Sequence, residues 1–329
     1  MQEFKILLIG CGNIGNRHIE SILNLNIKTS IFITIIEKNI KNVNKQFLNI
    51  KKKNFYVSIS QNKILKESNK YDLCIISANS SDRLSILKKI QKIKFGTIIL
   101  EKLIADNLNN LISLKKIMKK INCKKVYVNT PRRYMNVFKK IKKKLNLKNP
   151  ISINYTATNF KLGSNSIHII DLFKFFTDNL PLDKILCDIN KIIKVKKNFY
   201  DFQGFLLMKD KKYNTFFVDN VRQNVDIKTG FGGIRILNYP KSFIFNEQFN
   251  ELIEITENIK LSKSNIILKK EQFKLQSELT GDYVKKLIKK EKLDLPNFDT
   301  SYKSHYVCFK AFENSLNKMN KNLSKYRIT

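Results

Sequence analysis

Residues 5–18 read KILLIGCGNIGNRH, an apolar run that breaks at once into glycines. Gly10, Gly12 and Gly15 stand in G-x-G-x-x-G spacing directly after a strand-like segment, Lys5 to Ile9, and at the start of a helical one. That context makes the motif informative, because each glycine has its own task. Gly10 permits the tight turn, Gly12 lets the backbone approach a pyrophosphate, and Gly15 lets helix and strand pack closely. The helix start at Asn13-Ile14 offers unbonded N–H groups and a positive dipole end to phosphate oxygens. The stretch predicts a dinucleotide-binding turn.

The segments that follow fit it. Ile31 to Ile36, Phe55 to Ile59, Leu73 to Ser77, Thr97 to Leu100 and Val126 to Asn129 are short apolar runs. Lysine-rich stretches with apolar residues at helical spacing, such as Leu84, Leu87 and Ile90, separate them. Alternation of this kind predicts an α/β domain over residues 1–125, built as a doubly wound parallel sheet of the Rossmann type. The pattern changes near residue 150. Ser152 to Thr158, Phe202 to Met208, Thr215 to Val218, Gly233 to Leu237 and Ser242 to Phe245 read as alternating strands. Helices are expected around Ser166 to Phe176, Gly281 to Lys292 and Ser301 to Lys318. Residues 126–329 therefore read as an α+β domain with a large open, mainly antiparallel sheet and helices on one face.

Composition narrows the function classes. Of 329 residues 43% are hydrophobic, enough for a sizeable core, yet no apolar run reaches the length of a membrane span. The first residues read as strand and not as a secretory signal. The five cysteines form no C-x-x-C pair, so neither a zinc site nor a disulfide framework is expected, and a reducing cytoplasm fits. The net charge of +35 raises the question of a nucleic-acid partner. However, only 7 of the 62 basic residues are arginine, and the lysines are spread over the whole chain. Lys, Ile and Asn share A/T-rich codons, so biased base composition accounts for the profile. The expected partner is a small molecule, with no nucleic acid and no membrane.

Three positions carry candidate chemistry. Glu37 ends the second strand about 20 residues beyond the glycines, where an acid binds the ribose 2′-hydroxyl and repels a 2′-phosphate. NAD is thus preferred, although Lys38 beside it leaves NADP open. Glu101-Lys102 sits at the carboxyl end of the fifth strand, the edge at which ligands bind in open α/β sheets. A lysine there can donate to a substrate oxygen, and desolvation can bring its pKa toward the range useful for proton transfer. Within Gly163 to Asp171, His168 has Ser164 at i−4, Asn165 at i−3 and Asp171 at i+3, so one helix start can present all four toward a pocket.

Together these residues make the chain resemble the glucose-fructose oxidoreductase, inositol dehydrogenase and rhizopine-catabolism (Gfo/Idh/MocA) family. The glycine motif with Arg17-His18, Asp72 before the fourth strand, Glu101-Lys102-Leu103 after the fifth, His168, and Leu295-Pro296 with Ser304-His305 before the last helix carry the likeness. It implies hydride transfer between NAD(P) and a sugar-type carbinol or carbonyl carbon. His168 would be the general acid/base and Lys102 the donor to the reacting oxygen, with Asn79, Glu101 and Lys102 on the cofactor side. Leu103 replaces a family proline, Asp82-Arg83 stands where the family often has His, and Ser164 stands where it often has Asp. The string LGSNSIHIIDLF and the segment Thr130-Pro131-Arg132-Arg133-Tyr134 resemble a branch found among surface-polysaccharide and unusual-sugar genes. There Asn165 and Asp171 would hold hydroxyls, and Arg132 and Tyr134 would meet an anionic sugar. The family's habit implies a homo-oligomer, a dimer or a tetramer. The missing Asp at Ser164 leaves an alternative, a cofactor-binding sensor or partner subunit with little dehydrogenase activity.

Overall fold

The computed structural model describes residues 3–49, 52–61, 65–158, 160–196, 198–221, 232–258 and 263–328. The chain divides into two compact units, Met1–Pro131 with Lys274–Tyr302, and Arg132–Phe273 with Lys303–Thr329.

The first unit holds six strands: β1 (Glu3–Ile9), β2 (Ser30–Ile36), β3 (Phe55–Ser60), β4 (Lys70–Ile76), β5 (Lys94–Glu101) and β6 (Val126–Asn129). Their order is β3-β2-β1-β4-β5-β6, and every pairing is parallel. This is the expected Rossmann sheet. Burial of four consecutive residues in β1 (Ile6 to Ile9) and in β4 (Leu73 to Ile76) shows that helices cover both faces. Those helices include α1 (Asn13–Leu23), α2 (Arg83–Ile90) and α3 (Leu108–Met118).

The boundary expected at residue 125 lies elsewhere. Val126–Asn129, read as leading out of the domain, pairs in parallel with β5 and belongs to the first sheet. A later segment also returns to this unit. The Gly281 amide donates to Ser21 Oγ at 2.8 Å, and a Cβ at Gly281 would lie 2.7 Å from the Ser21 carbonyl oxygen. A contact 260 residues apart in sequence leaves no local signal.

The second unit carries α4 (Asn136–Lys144), α5 (Leu162–Phe176) and eight strands. These are β7 (Ser152–Thr158), β8 (Leu182–Lys196), β9 (Phe199–Asp210), β10 (Thr215–Val221), β11 (Gly232–Asn238), β12 (Lys241–Asn246), β13 (Glu251–Asn258) and β14 (Lys263–Lys270). The order β14-β13-β12-β11-β7-β10-β9-β8 is antiparallel except for β7 with β10. One face is apolar and covered. Phe173 of α5 lies 5.7 Å from Phe216, and Phe138 of α4 meets Phe245 edge-on at 5.6 Å. The open sheet with helices on one face is the one expected.

Strands β8, β13 and β14 were not expected. Three register shifts in β8 break the two-residue period that marks a strand. In β13 an inward position is held by Glu254, whose carboxylate meets Lys144 and Lys269. All eight residues of β14 are exposed, so it has no apolar alternation.

The two helices expected near the end are α6 (Gln276–Ile288) and α7 (Phe298–Lys318), and the division between units falls inside α7. Among the described residues no helix is long and apolar enough to cross a membrane.

Candidate functional site

In the first unit the strand order reverses between β1 and β4, and ligands of such sheets bind outside the carboxyl ends at that point. The glycine turn sits there. Gly10 has φ +90°, and a Cβ on it would lie 2.4 Å from the Ala78 nitrogen. A Cβ on Gly15 would lie 2.3 Å from the Gly10 carbonyl oxygen. Both positions require glycine for the fold itself. Gly10→Ala is expected to lower stability by at least about 1–3 kcal/mol from backbone strain alone, before the clash is counted; thermal melting of the purified variant checks this.

Gly12 differs. Its φ is −72°, and nothing lies within 4 Å of where its Cβ would stand. Neither backbone strain nor packing calls for glycine here. Gly12 is also the N-cap of α1, and no side chain caps that helix. Gly12 is half-exposed, and Asn13 and Ile14 of the first turn are exposed. The residues therefore fit a dinucleotide pyrophosphate.

Glu37, buried at the end of β2, reaches back to this turn. Its carboxylate accepts from the Cys11 amide at 2.6 Å, the Asn39 amide at 3.0 Å and Asn42 Nδ2 at 3.3 Å. The acid is thus fixed beside the glycines. Lys38 pairs with Asp82 at 3.1 Å. Burial, with the Glu37 charge adding, pushes the Cys11 thiol up to about 12, so it is no nucleophile near neutral pH. Asn79 is exposed in the loop after β4.

At the end of β5, Lys102 is half-buried, whereas Glu101 is buried. Expected on the cofactor side, the Glu101 carboxylate instead faces inward. It accepts from His18 Nε2 at 3.0 Å and from Asn129 Nδ2, and the Glu101 carbonyl accepts from Arg83. Arg83 also donates to the Ala78 carbonyl, joining the loop after β4 to the end of β5. Burial alone would raise the Glu101 pKa, but the hydrogen bond and charge of His18, together with Asn129 and Arg83, hold it below the ordinary value. Burial lowers Arg83 to about 10, opposed by the charge of Glu101. Glu101 is legible in the sequence as a strand end, whereas nothing local to His18 or Arg83 points to it as their partner.

In the second unit α5 separates the four residues expected to act together. Asn165 and His168, one turn apart, are both half-buried, whereas Ser164 and Asp171 are buried. Asn165 Nδ2 donates to the Phe160 carbonyl. Asp201 of β9 accepts from the Gly163 amide at 2.7 Å and the Ser164 amide at 3.4 Å, and so supplies the carboxylate that this helix start attracts.

Asp171, expected to hold a substrate hydroxyl, is turned to Arg133. The guanidinium meets both carboxylate oxygens, at 2.7 and 2.5 Å, and the Asp171 carbonyl at 3.1 Å. Arg132, expected to meet an anionic sugar, is likewise paired inside the unit. It binds Glu247 at 2.8 and 3.1 Å, and Tyr155 Oη donates to the same carboxylate at 2.8 Å. Burial opposes the Arg132 charge, but Glu247 and Tyr155 outweigh it and leave the pKa above its ordinary value. Tyr134 is buried too, with Lys139 Nζ 4.6 Å from its ring centre. The signal for these roles was present as adjacent arginines, but their partners lie 38 and 115 residues away. Among the described residues no group of three or more His, Cys, Asp or Glu side chains is placed to hold a metal ion.

Solved oxidoreductases share this fold along nearly the whole chain. An oxidoreductase from Agrobacterium radiobacter, solved with NAD+, L-tartaric acid and magnesium, aligns with TM-score 0.72 at 14% identity, over 96% of this chain and 97% of that one. A UDP-N-acetylglucosamine 3-dehydrogenase from Acidithiobacillus ferrooxidans gives 0.71 at 9% identity, over 94% and 97%. Levoglucosan dehydrogenase in its apo form gives 0.72 at 13% identity, over 97% of each chain. No family model matches the sequence, and no curated protein matches it.

Proposed function

We propose that this chain is an NAD-dependent oxidoreductase that moves a hydride between nicotinamide and a carbinol or carbonyl carbon of a sugar or sugar derivative. Gly12 carries the reading. Neither its backbone angle nor its surroundings ask for glycine, and the close approach of a pyrophosphate does. Support comes from the fold, which is that of a structure holding NAD+ and of two dehydrogenases named for sugar substrates.

The first N–H groups of α1, at Asn13 and Ile14, would receive the phosphates. Glu37 would accept from the ribose 2′-hydroxyl and disfavour a 2′-phosphate; Lys38, paired with Asp82, adds less attraction for that phosphate than a free cation would. The nicotinamide, when bound, supplies the hydride acceptor or donor. His168 would take the proton from the carbinol oxygen or return it. Lys102 would donate a hydrogen bond to the same oxygen and stabilise negative charge developing there. Asn165, on the half-buried side of α5 with His168, would hold a neighbouring hydroxyl. Arg132, Arg133 and Asp171 would serve by holding the second unit together.

The place of work is the cytoplasm, where the five cysteines, none of them in a disulfide, stay reduced. The pathway is the making of surface glycans. The working form is a homo-oligomer, joined through the face of the second sheet that α4 and α5 leave open.

Titration of the full chain with NADH, followed by nicotinamide fluorescence, tests the reading. A Kd in the micromolar range is expected, rising by about 100-fold or more in Gly12→Val, whose side chain enters the pyrophosphate space without straining the fold. Absence of binding by the parent chain at about 1 mM NADH would remove the proposal. Tight binding with no turnover on any sugar would favour a sensor or partner subunit.

A further inference from the structure

The buried histidine of α1 has a role that neither the glycine turn nor the proton-transfer scheme assigns. His18 is completely buried, so it reaches neither phosphate nor solvent. Its Nδ1 lies 2.7 Å from Thr280 Oγ1 of α6, and its Nε2 lies 3.0 Å from Glu101 Oε1. Glu101 is the last residue of β5 and directly precedes Lys102. The same Oε1 accepts from Asn129 at the end of β6, and the Glu101 carbonyl accepts from Arg83 at the start of α2. The residue before the lysine is therefore gripped from α1, α2 and β6, and through Thr280 from α6.

We propose that His18 is a positioning residue for Lys102: it fixes the buried Glu101 carboxylate and thereby the peptide from which Lys102 projects. This rests on the reading of Lys102 as the donor to the reacting oxygen.

An ionised carboxylate only accepts, so the proton of a neutral His18 is on Nε2, and Nδ1 accepts from the Thr280 hydroxyl. Protonation of the ring keeps the Nε2 donor. The grip on Glu101 thus persists whichever form His18 takes. Its loss has a specific consequence. The titratable groups facing the Glu101 carboxylate are His18 and Arg83, with Tyr283 of α6 behind Asn129 at 3.4 Å. Without His18, burial acts on Glu101 with one donor and one charge fewer against it, and its carboxyl takes up a proton at higher pH. Packing alone would not move that step.

The test compares His18→Leu, which removes the donor, with His18→Gln, whose amide can replace it. Hydrogen exchange of the peptide spanning residues 98–106 is measured on the full chain, together with NADH affinity. Turnover across pH is followed with NAD and either UDP-N-acetylglucosamine or levoglucosan. In His18→Leu the peptide should exchange about 10-fold faster while NADH affinity stays within about two-fold. Its kcat should fall by roughly 10- to 100-fold with little change in KM, as for a misplaced reacting group. The acid limb of its pH profile should move to higher pH. His18→Gln should stay near the parent in all of these. Unchanged exchange in folded His18→Leu, or equal loss in both variants, overturns the proposal. If the parent turns over neither sugar, exchange alone decides for His18, and the failure belongs to the dehydrogenase reading. If His18→Leu does not fold, His18→Asn is measured the same way; its shorter amide can meet Thr280 but not Glu101, and exchange equal to the parent's overturns the proposal.

Discussion

His168→Ala is expected to cut turnover by about 100-fold or more, and Lys102→Ala by a similar factor, the usual scale for removing a positioned acid–base or charge-stabilising group. The two losses should differ in form. His168→Ala removes the proton acceptor, so the pH dependence that its imidazole imposes on kcat should vanish. Lys102→Ala removes a donor to the reacting oxygen and should lower kcat and kcat/KM together. NADH binding should persist in His168→Ala, because the scheme gives that residue a proton to move on the substrate and no contact with the cofactor phosphates. Steady-state kinetics over pH, with parallel NADH titration, check all three statements. Turnover unchanged in both variants would take the proton-transfer scheme away.

Arg133→Met is expected to destabilise the second unit by about 3–5 kcal/mol, because it takes the two-pronged guanidinium from the buried Asp171 carboxylate and leaves Lys174 as the cation acting on it. Both side chains are nearly inaccessible, at 9% and 4% exposure, so solvent cannot take over the pairing. A loss of that size is a large part of the ~5–15 kcal/mol that holds a domain folded. Arg133→Met combined with Asp171→Leu should recover most of it, since two apolar side chains can replace a buried ion pair at little cost. Urea denaturation of the two variants and the parent gives the comparison. A single variant as stable as the parent would show that Asp171 finds another partner. A double variant no better than the single would show that the pair does more than neutralise itself.

What could be read from the sequence was local. The glycine turn places three residues within six positions, and the parallel strands announce themselves as unbroken β-branched runs such as Ile31 to Ile36. The helix bearing His168 was legible for the same reason. Local spacing could not tell which of its neighbours face inward. Asp171 is one turn from His168, but its direction is set by Arg133, which lies 38 residues back. Glu101 was legible as a strand end, yet its partner His18 is 83 residues away, and Thr280 behind that ring lies 262 residues beyond His18. Gly281, which lets α6 settle against Ser21, looks like any turn glycine until that packing is known. In the second sheet, β8 was hidden by its bulges and β13 by the inward Glu254. A buried ion and a broken period both erase the alternation by which strands are recognised.

Hydride transfer to NAD from a sugar-type carbinol is the proposed reaction. The direct measurement is NADH formation by the full chain with NAD and a panel of sugars and nucleotide sugars, UDP-N-acetylglucosamine and levoglucosan among them. At least one sugar should support steady NADH production, and His168→Ala should abolish it. Tight NADH binding with no NADH formed from any sugar would contradict the proposed reaction.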